Sequence, residues 1–175
     1  MYHQSNQNYF VALEHHRKAL DIRKKSLSPN HPSIAMSLIN LGLLYLSMGN
    51  SSAALSHLKQ AIKIHEKSLP LNHPERAPPH NNIALVYQSL GEYSTAPQHC
   101  TEALRIQQQS LPSNHPALAT SHAYIAAAYS GLFDYEKVRE HLLIALEIST
   151  RAFGPNDHRV QILRHELGKF YRKMS

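Results

Sequence analysis

The sequence predicts an all-α fold, a right-handed superhelical solenoid of about eight helices packed as antiparallel pairs. Three observations predict it. Asn-His-Pro recurs at 30–32, 72–74 and 114–116, 42 residues apart each time, and Asn156-Asp157-His158 continues the register in altered form. A large-small-x-x-Tyr segment repeats at the same period: Leu41-Gly42 with Tyr45, Ile83-Ala84 with Tyr87, Ile125-Ala126 with Tyr129, and Leu167-Gly168 with Tyr171. Between these segments lie Ala54, Ala96 and Val138, then Ala61, Ala103 and Ala145, with Ala12 and Ala19 in a partial copy at the start. A fixed period of this length means that each unit buries its apolar face on the next, because one unit alone cannot form a core.

Each element follows from local signals. A first helix over 9–27 carries Ala12 and Ala19 in the register of a second helix of a pair. Residues 1–7 align with the tail of a preceding first helix, so Phe10, Val11 and Leu13 are expected to lack their usual cover. The next helix, 33–48, places Ile34, Leu38, Leu41 and Tyr45 at helical spacing. Met48-Gly49-Asn50 then turns the chain into 51–69, where Leu55, Leu58, Ile62 and Leu69 share a face. A helix over 75–90 follows, but Pro78-Pro79 removes two backbone donors and delays its start to near 78. Leu90-Gly91-Glu92 leads into 93–111, with Pro97 in its first turn. The remaining helices are 117–132, 135–152 and 159–173. The last is polar (Arg164, His165, Glu166, Lys169, Arg172, Lys173), as a solvent-facing cap should be. His-Pro marks the start of each pair, because proline holds its predecessor extended and suits a first helical turn. The chain therefore divides into a partial repeat 1–32, repeats 33–74, 75–116 and 117–158, and a capping helix 159–175, all in one domain.

These residues resemble the tetratricopeptide repeat, whose helix–turn–helix unit carries Leu-Gly-x-x-Tyr followed by alanines. The usual period is 34, and the extra eight residues fall after Ala61 and its equivalents, lengthening the second helix by about two turns. With the Asn-His-Pro turn, the chain is similar to kinesin light chain repeats, whose pattern runs Asp-His-Pro, then Leu-Asn-Asn-Leu-Ala-x-x-Tyr. Asn81-Asn82-Ile83-Ala84 with Tyr87 reproduces that core; Ile39-Asn40-Leu41-Gly42 keeps one asparagine, and Ala123-Tyr124 keeps neither. The resemblance reaches the cargo-binding repeats and not the heptad segment that joins a motor. It implies a protein-interaction role in which the paired asparagines meet a partner's extended peptide.

Composition narrows the function classes. Net charge is +6, but residues 31–158 carry eight Lys/Arg against nine acids, so the basic excess sits at the two ends. A nucleic-acid binder would show a continuous basic stripe, so none is expected. No apolar run reaches the roughly 20 residues of a membrane span, and no membrane partner is expected. The single cysteine, Cys100, excludes an internal disulfide and fits a reducing, cytoplasmic setting. Asn50-Ser51-Ser52 is a glycosylation sequon read here as a plain turn. Histidine is abundant, fourteen residues, yet no His-x-x-x-His, His-Glu-x-x-His or Cys-x-x-Cys spacing occurs, so neither metal nor another cofactor is expected. Cys100 fits a buried small hydrophobe, and no acid/base pair or phosphate loop suggests an enzyme.

The candidate site is the concave groove lined by the first helix of each pair. Its residues are Asn40 and Leu43, then Asn81, Asn82 and Leu85, then Tyr124, and at the end Lys169 and Arg172. A side-chain amide both donates and accepts, so it can pair with the backbone of an extended peptide. The competing role for the asparagines is to tie adjacent repeats together. Lys169 and Arg172 would attract an acidic peptide or simply solvate the cap. A clamp for a C-terminal carboxylate is not expected, because the third first-helix offers Ala123, Tyr124 and Ala127 where a cation is required. The reading is a scaffold or adaptor that binds a peptide segment of a partner protein. Its alternative is a segment of a longer array, or a spacer that self-associates through the truncated first repeat.

Overall fold

The computed structural model describes the backbone of residues 2–174 and the side chains of residues 8–172. The described chain folds into eight α-helices: α1 Tyr2–Ser26, α2 Pro32–Ser47, α3 Ser51–Ser68, α4 Pro78–Ser89, α5 Ala96–Gln108, α6 Pro116–Ser130, α7 Tyr135–Phe153 and α8 His158–Met174. A single 3₁₀ turn, Pro74–Arg76, precedes α4. Each helix packs on the next, and in addition α2 touches α4 and α4 touches α6. The outer helices α3, α5 and α7 do not touch one another in this way. The inner layer is therefore α2, α4 and α6, and the stack curves around it.

The Asn-His-Pro motif is a helix start in which the histidine caps and the proline opens the first turn. His31 Nδ1 accepts the amide of Ser33 at 3.1 Å, His73 Nδ1 that of Glu75 at 3.3 Å, and His115 Nδ1 that of Ala117 at 3.1 Å. Each histidine has extended backbone, as the following proline demands. Asp157 fills the same position in the altered fourth copy, its Oδ1 accepting the amide of Arg159 at 2.9 Å. The other turn, within each pair, closes by a double hydrogen bond. Asn50 N donates to Tyr45 O and Gly49 N to Leu46 O; Glu92 with Tyr87 and Gly91 with Gln88 repeat the pattern, as do Asp134 with Tyr129 and Phe133 with Ser130. That closure needs a left-handed residue, which Gly49 and Gly91 supply at φ of 75° and 76°. Phe133 holds the same conformation at φ 58° and is 73% exposed.

The core runs as a continuous strip through the stack. Leu38, Leu41, Leu58, Ile83 and Val86 join α2 and α3 to α4; Cys100, Leu118 and Ile125 join α5 to α6; Val138, Leu142 and Leu167 close the last pair on α8. Tyr87 packs against both the first and second of these clusters, and Tyr129 against both the second and third, so the repeated tyrosines fill the wedges between units. A Cβ on Gly42 would lie 2.7 Å from Leu58 Cγ, which is why a small residue stands there. The same addition at Gly168 meets nothing within 4 Å, because no second helix follows α8 among the described residues.

Two elements depart from the sequence reading. The first helix was expected over 9–27, yet α1 runs from Tyr2 without a break. Residue 7, in the register of Gly49 and Gly91, is Gln7, so nothing there stops a helix. The fifth was expected over 93–111, yet α5 spans only Ala96–Gln108. Its neighbours begin on capping residues, Asn50 accepting the amide of Ala53 and Asp134 that of Lys137. Glu92 stands at that register, and Pro97, tolerated only in a first turn, moves the start three residues on. The delayed start of α4 at Pro78 agrees with the sequence reading.

Candidate interaction groove

The inner helices keep one face open to solvent. On α2 it comprises Met36, Asn40, Leu43 and Ser47; on α4, Pro78, Leu85 and Ser89 beside Asn82; on α6, Thr120, Tyr124 and Ala127. These positions repeat at the 42-residue period, so they form rows across the stack. One row is Asn40–Asn82–Tyr124 and the next is Leu43–Leu85–Ala127. Leu43 is 36% exposed, Leu85, Asn40 and Tyr124 are half-buried, and Asn82 is buried at 8% exposure. None of α2, α4 and α6 contains Asp, Glu, Lys or Arg. The surface is therefore uncharged, apolar in one row and polar in the other. Such a lining offers hydrogen bonds to a peptide backbone and contact area to its side chains.

Asn81 is placed differently from its neighbour. One residue along a helix turns the side chain by about 100°, and Asn81 faces the following repeat. Its Nδ2 donates to Ser121 Oγ at 3.2 Å on α6, and Ser121 Oγ donates to Gln107 Oε1 at 2.8 Å on α5. All three side chains are buried. The structure thus splits the asparagine pair: Asn81 joins adjacent repeats, and Asn82, buried as well, shares the register of Asn40 and Tyr124. Lys169 and Arg172 lie exposed on α8, which packs on α7 and not on α6. Lys169 is paired with Glu166 at 2.9 Å. These two cations are not brought into the rows formed by α2, α4 and α6.

Other candidates resolve on burial. Burial pushes the Cys100 thiol up to about 12, so it stays protonated and unreactive at neutral pH. No group of three or more His, Cys, Asp or Glu is placed to hold a metal ion among the described residues. No described helix is long and apolar enough to cross a membrane.

The tetratricopeptide repeat family model matches residues 1–67 and 75–149. The chain belongs to the tetratricopeptide repeat family. Its 42-residue repeats are of the kinesin light chain-like type. Over 98% of this chain and 81% of the other, it is 26% identical to the nearly identical TPR-like repeats of a Podosopora anserina protein assigned as a kinesin light chain, with a TM-score of 0.77. BtubC (BKLC) from P. vanneervenii shares the fold at a TM-score of 0.82 and 18% identity, over 95% of this chain and 66% of that one. A Rap protein complexed with Competence and Sporulation Factor shares it at 0.78 and 18%, over 99% of this chain and 46% of that one. No curated protein matches the sequence. This tetratricopeptide repeat protein is a repeat scaffold.

Proposed function

We propose that the protein is a cytoplasmic adaptor whose inner face takes an extended segment of a partner protein. One observation carries this reading: the uncharged inner helices present a polar row, Asn40–Asn82–Tyr124, beside an apolar row, Leu43–Leu85–Ala127. An extended peptide needs both, because its backbone hydrogen-bonds while alternate side chains seek cover. The similarity to kinesin light chain-like repeats supports an interaction role, and a Rap protein of this fold was solved with a bound factor. Asn81 contributes by holding the second and third repeats in register.

The test is a peptide-display selection on the purified protein, followed by affinity measurements on variants. Asn82→Ala and Leu85→Lys are expected to weaken an enriched peptide by about tenfold or more, the loss of a hydrogen bond or an apolar contact. Asn81→Ala is expected to lower stability instead. Unchanged affinity in both Asn82→Ala and Leu85→Lys would remove the inner face as the binding site.

A second reading has its own observation. Phe10, Val11 and Ile22 stand 64%, 51% and 66% exposed on α1. Covering these side chains by a second copy would make the chain a self-associating spacer. Light scattering across a concentration series decides it: a mass that doubles in the wild type and not in Val11→Glu/Ile22→Glu supports self-association, and a constant monomer mass excludes it.

A further inference from the structure

Histidines at one register recur inside every helix pair. His57 on α3, His99 on α5 and His141 on α7 each stack against the tyrosine of the partner inner helix. The ring centroids lie 5.3 Å apart at Tyr45, 5.6 Å at Tyr87 and 6.2 Å at Tyr129, with interplanar angles of 20° or less. In the second and third repeats another histidine joins from the inner helix. His80 Nδ1 lies 3.4 Å from His99 Nδ1, and His122 Nδ1 lies 2.8 Å from His141 Nδ1. The first repeat has fully buried Leu38 at the position of His80 and His122. Two facing Nδ1 atoms are satisfied by a single proton, one neutral ring donating and the other accepting. A second proton would leave donor facing donor and, with both rings charged, two positive charges at contact distance.

An acid stands near each pair, but burial outweighs it. Around the first pair, α3 brings Lys59, the 3₁₀ turn Arg76, and α5 both Glu102 and Arg105; Glu102 is already held by Arg105 at 2.7 Å. The inner helices α2 and α6, also packed on α4, carry no acid and no Lys or Arg. Around the second pair, α7 brings Glu140, which favours the charged form of both rings, and Lys137, which opposes it at His141; α4 has no acid, Lys or Arg. Burial first, and the neighbouring imidazole second, push His80 and His122 down to about 4; burial lowers His99 and His141 as well.

We propose that the pairs His80–His99 and His122–His141 form an acid-sensitive lock that holds inner helices α4 and α6 to α5 and α7 while the rings are neutral and that weakens on acidification, because protons bind the opened state in preference to the closed one. The sign follows from proton linkage. With folded-state values below the ordinary 6.5, the unfolded ensemble takes up more protons as pH falls from 6.5 toward 4. The contribution is fully present above 6.5 and is lost through that window. The inference does not depend on what the inner face binds, although His80 directly precedes Asn81 and Asn82 and opening there would disorder both.

Urea unfolding of the full chain at pH 7.5 and pH 5.0, followed by circular dichroism at fixed ionic strength, tests it. The comparison is His80→Leu/His122→Leu, which installs the residue the first repeat already uses. In the wild type, each pair is expected to raise the unfolding constant by about 30-fold at pH 5, the consequence of a shift from 6.5 to about 4. In the double variant most of that rise should vanish. An equal rise in both proteins overturns the proposal. Should the double variant fail to fold, ring-proton NMR of the wild type decides: His80 and His122 must remain neutral at pH 5, and protonated rings there overturn it.

Discussion

At the scale of single residues, the Asn-His-Pro motif reduces to one hydrogen bond. His115 Nδ1 satisfies the amide of Ala117, a donor that the first turn of α6 otherwise leaves without a helical partner. His115→Ala should therefore cost about 1 kcal/mol, and His115→Asp should retain most of the stability, because Asp157 performs the same task in the fourth copy. Chemical denaturation of the two variants beside the wild type checks both. The sequence showed the boundary through its proline but not the histidine's part in it. The missed signal was the replacement of His by Asp at a fixed register, since capping is a task that both side chains perform. The asparagine pair was less legible. Adjacent helical residues differ by about 100° in direction, and only the docked neighbour decides that it is Asn81 that meets Ser121.

At the scale of elements, the second repeat is weakened by one substitution in its own pattern. Arg23 donates to Ser37 across the joint between α1 and α2, and Ser121 donates to Gln107 across the joint between α5 and α6. The equivalent residues at the joint between α3 and α4 are His65 and Pro79. Proline has no hydroxyl, and both ring nitrogens of His65 are buried without a hydrogen-bond partner. Burial lowers its pKa, more than nearby Glu75 raises it, so the ring is held toward its neutral form. Pro79→Ser should restore the contact and return a backbone donor to the start of α4, for a gain of about 1 kcal/mol. A thermal midpoint unchanged or lowered in Pro79→Ser would count against this account. Helix number and order were legible because each apolar face has helical spacing. Helix ends were legible only where Gly or Pro stood at the turn. The continuous α1 escaped because Gln7 gives no signal either to stop or to continue.

At the scale of the molecule, stability is a sum over stacked units and their joints, so regions open separately rather than together. The three complete pairs differ in what they bury. The α2–α3 pair holds Leu38 beside a lone His57, whereas α4–α5 and α6–α7 each hold two facing imidazoles. Burial lowers His57 and His65 too, so the first pair feels acid, but neither faces a second imidazole, and it is His80 and His122 in the other pairs that are pushed down to about 4. Native-state hydrogen exchange, expressed as opening free energies at pH 7.5 and pH 5.5, should resolve the difference. On acidification the amides of α4–α7 should lose more protection than those of α2–α3, because their folded state refuses more protons than the unfolded chain takes up. A uniform loss along the stack would instead assign the acid response to charge repulsion over the whole +6 chain. The same experiment run with an inner-face peptide bound separates function from fold. Protection gained on α2, α4 and α6 at pH 7.5 and lost at pH 5.5 would join the histidine pairs to the release of a partner.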